Sequence, residues 1–201
     1  MKKPDFKNKK NILYTGFGDK GTTTLFHCDQ GRISKSANII EALGSLDELN
    51  AYLGIVKVYA GQEKVKIDFN KKTKILFSDV LNGVQQTLFV IQAEIAGSQM
   101  TVKKADLNKI EKIIASISDA LPPITSFTVS GGSFLSAELD FSRTLARRCE
   151  RRIISVLDEG HKKIGLVTIA YLNRLSSLLF AMSRYSNHLL SIEEEHPKYN
   201  K

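Results

Sequence analysis

A run of cationic side chains occupies residues 138–152. Four charged residues fall on one face of a helix because they are spaced i, i+4, i+7 and i+8: Arg143, Arg147, Glu150 and Arg151. The neighbouring stripe is small and mostly apolar: Leu139, Ser142, Ala146, Cys149 and Ile153. Several guanidinium groups on one face can grip a polyanion such as a triphosphate, with a carboxylate aiming one of them. A solvated basic face has the same spacing, so both interpretations stay open.

A second candidate segment, residues 14–26, is rich in glycine and hydroxyl groups. It reads Tyr14-Thr15-Gly16-Phe17-Gly18-Asp19-Lys20-Gly21-Thr22-Thr23-Thr24-Leu25-Phe26. Its backbone amides, its hydroxyls and Lys20 can line a phosphate. The GxxxxGK[ST] spacing of a Walker A loop is missing, and a surface turn without function has the same composition.

The net charge of +8 favours anionic partners but does not select among nucleotide, nucleic acid and membrane surface. Much of the excess is lysine in an N-terminal arm and in residues 64–74, which we interpret as solvated. No aromatic-rich RNA motif or zinc-finger spacing accompanies these lysines in the sequence. Nucleic acid is therefore not an expected partner.

Cysteine usage and the apolar pattern indicate the compartment. Cys28 and Cys149 lie far apart without CxxC spacing, which argues against a zinc site or a disulfide framework and fits a reducing cytoplasm. The charged start of the sequence lacks the apolar run of a signal peptide, and charges interrupt the longest apolar stretches. We expect a cytoplasmic protein with no membrane partner.

Periodic apolar residues predict five helices that would position these segments. The first covers at least residues 45–59, with Ser45 and Glu48 as a capping box and Asp47 near the start; a start close to Asn38 is also compatible. The others are predicted over 74–95, 101–121, 133–159 and 166–190. The polar residues 61–73 predict a loop, and residues 127–132 predict a short extended link.

Five amphipathic helices with short connections predict an all-α five-helix bundle, preceded by a glycine/threonine-rich loop. With 201 residues, 42% of them hydrophobic, the chain is long enough for one substantial core. We expect a flexible basic arm over 1–11, a single domain over 12–190 and a mobile tail over 191–201.

Six separated segments, in order over about residues 12–186, together resemble the cobalamin adenosyltransferases of the PduO type. The segments are Tyr14-Thr15-x-x-Gly18-Asp19-Lys20-Gly21-Thr22-Thr23, Lys35, Glu41-Ala42-x-Gly44-Ser45-Leu46-Asp47-Glu48-Leu49-Asn50, Phe127-Thr128-Val129-x-Gly131-Gly132, Arg143-Thr144-x-x-Arg147-Arg148-x-Glu150-Arg151 and Tyr171-Leu172-Asn173-Arg174-Leu175-Ser176. Each segment alone is a weak signal, whereas six in register identify the family.

The resemblance implies a homotrimer with active sites between subunits, and it assigns roles by position. The residues expected to bind ATP are Thr15, Gly18, Thr23, Thr24, Lys35, Arg147, Arg148, Glu150, Arg151 and Asn173. Asp47 would pair with Arg143 of the adjacent subunit, and with Arg147 these two form the expected catalytic set. Phe127 would lie beside the corrin and help to exclude the lower axial ligand of cobalt.

The reaction that the resemblance implies is attack by cob(I)alamin on the ribose 5′ carbon of ATP, with tripolyphosphate leaving. No protein base is then required, and Mg²⁺ would serve as counter-ion to the phosphates without a dedicated protein metal site. A corrinoid reductase and an adenosylcobalamin-dependent enzyme would be the protein partners.

Several positions depart from the family pattern close to the implied site. They are Gly16 and Phe17 in the first loop, Ser36, Ala37, Asn38 and Ile39 after Lys35, Ser130 for a proline, Asp140 for a common histidine, and Ser177 for an acid. The family pattern has a cation where this chain has Gly16 and another where it has Ile39. Each lost charge-assisted contact is worth about 1.5–3 kcal/mol, so losing these two cations weakens ATP binding by roughly two to four powers of ten if nothing compensates. Two hypotheses follow: an active adenosyltransferase, or a catalytically impaired bundle that binds nucleotide or corrinoid as a carrier or regulator.

Overall fold

Five α-helices dominate the computed structural model, which describes residue 14 and residues 16–25, 31–70, 73–160 and 164–199. The helices are α1 (Asn38–Gln62), α2 (Phe77–Ile95), α3 (Lys104–Ala120), α4 (Phe134–Asp158) and α5 (Leu166–Leu189). Two short antiparallel pairs accompany them: β1 (Thr22–Thr23) with β2 (Ile33–Ser34), and β3 (Lys66–Asn70) with β4 (Thr73–Leu76). The predicted all-α five-helix bundle is confirmed. The predicted basic arm over 1–11 lies outside the described residues.

Helix α4 lies at the centre of the packing. It contacts both α1 and α5, while α2 packs on α1 and α3 packs on α5. The apolar stripe of α4 is buried: Leu139, Ala146, Cys149 and Ile153 are inaccessible to solvent. Burial of this stripe turns the charged face formed by Arg143, Arg147, Glu150 and Arg151 away from the core, since the two sets occupy different faces of one helix.

Helix α1 begins at Asn38, and this start corrects the expected capping box. Ser45 lies inside the helix, where its hydroxyl donates to the Ala42 carbonyl at 2.9 Å instead of capping a terminus. Asp47 consequently lies in the third turn, too far from the N-terminus for a strong interaction with the helix dipole.

A β-hairpin replaces part of the loop predicted over 61–73. Ile67 pairs with Ile75 and Asp68 pairs with Lys74, so α2 begins at Phe77 and not at residue 74. Ile67 is buried between exposed Lys66 and Asp68, and Phe69 is partly buried, which is the alternation typical of a half-buried strand. Helix α3 is also shorter than predicted, since it covers residues 104–120 and the prediction was 101–121.

The start of α4 is fixed by hydrogen bonds that reach across to α5. The Ser133 hydroxyl accepts from the Ser136 amide at 3.1 Å, and the Ser133 amide donates to Asn187 Oδ1 at 2.8 Å. Gly132 has φ +90°, and a Cβ there would lie 2.5 Å from Asn187 Nδ2. Only glycine fits this position without strain, because both the backbone angle and the close approach exclude a side chain.

Helix α5 is long and apolar enough to cross a membrane by length and composition, and it alone is so among the described residues. In the bundle, however, 56% of its most apolar window is buried, as in the core helix of a globular protein. Glu94 of α2 anchors its start, accepting from the Gly165 amide at 2.7 Å and the Thr168 hydroxyl at 2.6 Å. The first of these bonds satisfies a backbone donor that the helix N-terminus leaves unpaired, and the second ties the first turn of α5 to α2.

The C-terminal segment, residues 192–199, for which we predict mobility, lies against the bundle in this structure. The Val129 amide donates to the Glu195 carbonyl at 2.7 Å, and His196 Nδ1 lies 2.9 Å from the Phe127 carbonyl. Glu194 pairs with Arg184 of α5. The segment is thereby connected to the link that precedes α4.

Candidate functional site

The first candidate cleft, the loop cleft, lies between the glycine/threonine-rich loop and the adjoining faces of α1 and α4. Its volume is about 750 Å³. Among its lining residues are Thr23, Thr24, Lys35, Glu41, Glu48, Arg148 and Arg152. Hydroxyls, an ammonium and two guanidinium groups thus face one space, a set suited to phosphate oxygens.

The loop is held by its own short sheet and by Arg32. Lys35 N donates to the Gly21 carbonyl at 2.9 Å, and Arg32 Nε donates to the Thr22 hydroxyl at 2.8 Å. A second Arg32 nitrogen donates to the carbonyls of Phe17 and Thr22. Arg32 therefore cross-links the two sides of the loop, a role that we did not predict because a lone arginine beside a glycine has no diagnostic spacing.

Lys35 approaches the loop backbone at Gly18. A Cβ at Gly18 would lie 2.7 Å from Lys35 Nζ and 3.1 Å from Lys35 Cε. The missing side chain lets the ammonium lie directly over the loop, where backbone amides and the lysine can act on one anion.

Two glutamates of α1 already pair with the guanidinium groups of the loop cleft. Arg148 donates to Glu48, and Arg152 lies 4.0 Å from Glu41. All four side chains are about half exposed, so these pairs are individually weak. A triphosphate would compete with the glutamates for the two arginines.

The second candidate cleft, the aromatic cleft, lies between residues 124–128, α4 and α5, with a volume of about 390 Å³. Its lining includes Phe127, Arg143, Arg147, Ser176 and Phe180. Phe127 lies at the edge of this cleft and is 79% exposed. Apolar rings beside two cations suit a large flat ligand that carries polar groups on its periphery.

Arg143 of the aromatic cleft has a partner within its own chain. Its Nε donates to Asp140 Oδ1 at 2.6 Å, and its Cζ lies 5.9 Å from the centre of the Phe180 ring. Neither Asp140 nor Phe180 is among the predicted site residues. Asp140 was visible in the sequence only as a departure from the family pattern, and Phe180 as one apolar residue of a core helix.

Two further predicted ATP residues meet between α4 and α5. Asn173 Nδ2 donates to Glu150 Oε1 at 3.0 Å, and Asn173 Oδ1 accepts from Arg174 Nη1 at 2.7 Å. Arg151, one turn after Arg147, is exposed. The amide of Asn173 is therefore oriented by a carboxylate on one side and a guanidinium on the other.

The structure divides the predicted site residues into three groups within one chain. Thr23, Thr24, Lys35 and Arg148 share the loop cleft, Phe127, Arg143 and Arg147 share the aromatic cleft, and Glu150 and Asn173 contact each other. Asp47 lies exposed on α1, and Thr15 lies outside the described residues.

Burial controls the ionisation of two groups near α4. It raises the pKa of the Cys149 thiol to about 11, although the thiol donates to the Ser45 carbonyl at 2.9 Å. Burial, followed by the hydrogen bond to Glu138, raises the pKa of Tyr52 to about 12. Both groups stay neutral at neutral pH, so Cys149 packs the helix seam and does not serve as a thiolate nucleophile.

Comparison with known proteins gives the relationship of this fold. The Cobalamin adenosyltransferase family profile matches residues 13–186. The Corrinoid adenosyltransferase PduO of Salmonella typhimurium is 35% identical over 179 residues, which are 86% of this chain and 48% of the relative. The Corrinoid adenosyltransferase of Mycobacterium leprae is 31% identical over 186 residues, which are 87% of this chain and 91% of the relative.

A solved structure extends the similarity to the fold. A variant of the PduO-type ATP:corrinoid adenosyltransferase from Lactobacillus reuteri, complexed with cobalamin and ATP, superimposes with a TM-score of 0.79 at 25% identity, covering 94% of this chain and 100% of that one. The chain spans about half the length of the PduO relatives from Salmonella typhimurium and Citrobacter freundii. Because the family profile covers residues 13–186 and the fold agrees with that of a solved relative, the chain belongs to the cobalamin adenosyltransferase family.

Proposed function

We propose that this protein transfers the 5′-deoxyadenosyl group of ATP to cob(I)alamin, giving adenosylcobalamin and tripolyphosphate. The observation that carries the proposal is family membership across residues 13–186, with Lys35, Arg143 and Arg147 present at the matching positions. A solved neighbour complexed with cobalamin and ATP supports the same pair of substrates.

The two clefts suit the two substrates. The loop cleft offers Thr23, Thr24, Lys35 and Arg148 to a triphosphate, while the aromatic cleft offers Phe127 to a corrin ring. In the proposed trimer, the aromatic cleft of one subunit faces the loop cleft of the next. Such an arrangement brings Arg147, Glu150 and Asn173 to the nucleotide that the neighbouring loop holds.

The chemical step needs no protein base, because cobalt(I) is itself the nucleophile. Its electron pair forms the bond to the ribose 5′ carbon as the carbon–oxygen bond breaks, and the electrons leave with tripolyphosphate. The chain contributes alignment and stabilises the charge on the departing phosphates through Arg147 and Lys35. The Phe127 ring covers the corrin and keeps the lower axial ligand away.

Mg²⁺ enters as part of the Mg·ATP substrate. The carboxylates at the loop cleft, Glu41 and Glu48, pair with arginines. Among the residues that the structure describes, no group of three or more His, Cys, Asp and Glu side chains could hold a metal. Phosphate oxygens and water are the ligands that Mg²⁺ prefers in such complexes.

An exposed face of α1 supports the homotrimer. Asp47, Ala51, Ile55 and Val58 are all exposed and are spaced i, i+4, i+8 and i+11, so they share one side of the helix. The two large apolar residues on this side, Ile55 and Val58, together with the exposed Phe134 and Phe141 on α4, offer a surface that another copy can cover. Asp47 at its edge would then pair with Arg143 of the adjacent subunit.

The substrates also define the partners and the compartment. Cob(I)alamin must be supplied by a corrinoid reductase, and adenosylcobalamin is consumed by an enzyme that depends on it. We place the protein in the cytoplasm, where a reducing environment preserves the reduced corrinoid.

The test is an anaerobic mixture of purified protein, chemically reduced cob(I)alamin, ATP and Mg²⁺, followed by absorbance and then exposed to light. The expected product is a photolabile alkylcobalamin that is absent without ATP and strongly reduced with Arg147→Ala. Asp158→Asn, which changes an exposed carboxylate on the same helix, is the matched control and should behave as wild type.

A folded trimer that binds ATP or corrinoid in calorimetry without forming product would contradict the proposal. That result would favour the impaired carrier or regulator, in which the cations missing from the first loop and from the run after Lys35 have abolished turnover. Unchanged turnover in Arg147→Ala would contradict the role assigned to that arginine.

A further inference from the structure

Asp140 is a buried carboxylate that the proposed reaction does not yet use. It is only 7% exposed and lines the aromatic cleft. Burying a charge is unfavourable unless a partner compensates it, so the identity of that partner is informative. The partner is Arg143, one turn later on α4, at 2.6 Å.

The geometry leaves most of the Arg143 guanidinium available. Asp140 accepts from Nε, the innermost of its nitrogens, and the group has five N–H donors in all. Within the described part of the chain, Arg143 makes no other hydrogen bond. The two terminal nitrogens can therefore still donate outward, to a ligand or to another subunit, while Asp140 and the Phe180 ring fix the plane of the group.

We propose that Asp140 is an in-chain positioning residue for Arg143, which makes the placement of this arginine largely independent of Asp47 from the adjacent subunit. The inference rests on the proposed function, since that function gives the aromatic cleft its corrinoid. A histidine, common at this position in the family, cannot neutralise a guanidinium. Arg143 would then depend on a carboxylate from outside its own chain, whereas Asp140 supplies one locally.

The inference predicts redundancy between two carboxylates. Asp47→Asn alone should raise the KM for cob(I)alamin less than about threefold, because Asp140 still holds Arg143. Adding Asp140→Asn should raise it about thirtyfold or more, as expected for loss of a charge-assisted contact with no remaining substitute. The KM for ATP should change less than about twofold in both variants.

Asp140→His provides the second variant, with the residue that the family commonly has at this position. It should be active alone, but should lose activity strongly when combined with Asp47→Asn. Asp47→Asn with Asp68→Asn is the matched control, since Asp68 pairs with Lys74 on the exposed hairpin; it should equal Asp47→Asn alone. The unfolding temperature and the molecular mass measured by sedimentation should be unchanged in all these variants. A change in either would indicate that Asp140 supports folding or assembly and does not position Arg143.

The inference is overturned if Asp47→Asn is already as damaging as the double variant, or if both KM values and the unfolding temperature change together. Calorimetry with cob(II)alamin gives a readout that does not depend on turnover. If the wild-type protein binds the corrinoid but does not turn over, the proposed function is contradicted. The affinities of the same variants for cob(II)alamin then test the inference. Equal affinity of all variants, or no corrinoid binding by wild type, overturns the inference.

Discussion

Asn173 of α5 donates to the Glu150 carboxylate of α4 at 3.0 Å, so two residues predicted to bind ATP from separate motifs contact each other directly. The carboxylate fixes one side of the amide and leaves less rotational freedom to the group proposed to contact the nucleoside. Orientation by a neighbouring side chain is how such contacts gain specificity.

Glu150→Ala should therefore weaken ATP binding selectively. We expect the KM for ATP to rise about three- to tenfold, because an exposed charge-assisted hydrogen bond is lost, and the KM for cob(I)alamin to stay unchanged. Glu150→Gln retains an acceptor and should have a smaller effect. Steady-state kinetics with each substrate varied in turn measure this, and equal changes in both KM values would count against the assignment.

Gly18→Ala should displace Lys35 with little loss of stability. The new Cβ would lie 2.7 Å from Lys35 Nζ, which is the far end of a flexible side chain and can move away. We expect the KM for ATP to rise about three- to tenfold, since the ammonium leaves its place over the loop. Fluorescence or calorimetric titration with ATP would show the same trend.

Gly83→Ala on α2 is the matched control for that substitution. Apart from the neighbouring backbone of its own helix, no atom of the described residues lies within 4 Å of its Cβ position, so the free energy of unfolding of the protein should rise by about 0.5–1 kcal/mol. ATP affinity should not change. If Gly18→Ala also leaves ATP affinity at the wild-type value, Lys35 does not contact the phosphates.

Glu194→Ala should destabilise the protein through Arg184. The guanidinium is only 8% exposed, and besides Glu194 it donates to the Pro122 carbonyl at 3.1 Å. Removing its counter-ion should lower the free energy of unfolding by about 1–3 kcal/mol. Urea unfolding measures this, with Glu193→Ala, an exposed neighbour, expected within about 0.5 kcal/mol of wild type. Identical midpoints for the two variants would mean that the C-terminal segment does not hold Arg184.

Cys149 should resist alkylation in the folded protein. Burial raises its pKa to about 11, so only about one thiol in a thousand is ionised at pH 8. In a Cys28→Ser background, a maleimide or iodoacetamide should react slowly in buffer and quickly in urea. Rapid labelling under native conditions would show that the thiol is accessible.

The same shift in pKa makes the contribution of Cys149 to stability dependent on pH. Below pH 9 both states keep the proton, and the contribution is constant. Between pH 9 and 11 only the unfolded thiol ionises, so the free energy of unfolding falls as pH rises. The stability difference between the Cys28→Ser protein and its Cys149→Ala derivative should shrink by about 1 kcal/mol from pH 8 to pH 10. A constant difference would contradict the raised pKa.

The sequence by itself determined the helical bundle and the family. Helix periodicity depends on which residues face the core, and the stripe of α4 containing Leu139, Ala146 and Cys149 is buried as its spacing predicts. The hairpin at 66–76 was missed because its alternation covers only a few residues between lysines, where a polar loop explains the composition equally well. The predicted start of α1 was also uncertain, because the capping pattern at Ser45 occurs inside helices as well as at their N-termini.

Only the tertiary structure decided which predicted site residues meet. Motif order along the chain does not reveal that Arg148 and Lys35 share one cleft while Arg143 and Arg147 face another, since this depends on which helix packs beside which. Partners such as Glu48 for Arg148 lie 100 residues away in sequence. Asp140 shows that sequence spacing is insufficient even for residues only three positions apart. Its spacing permits an ion pair with Arg143, but only the packing of α4 on α5 buries the carboxylate and makes the pair matter.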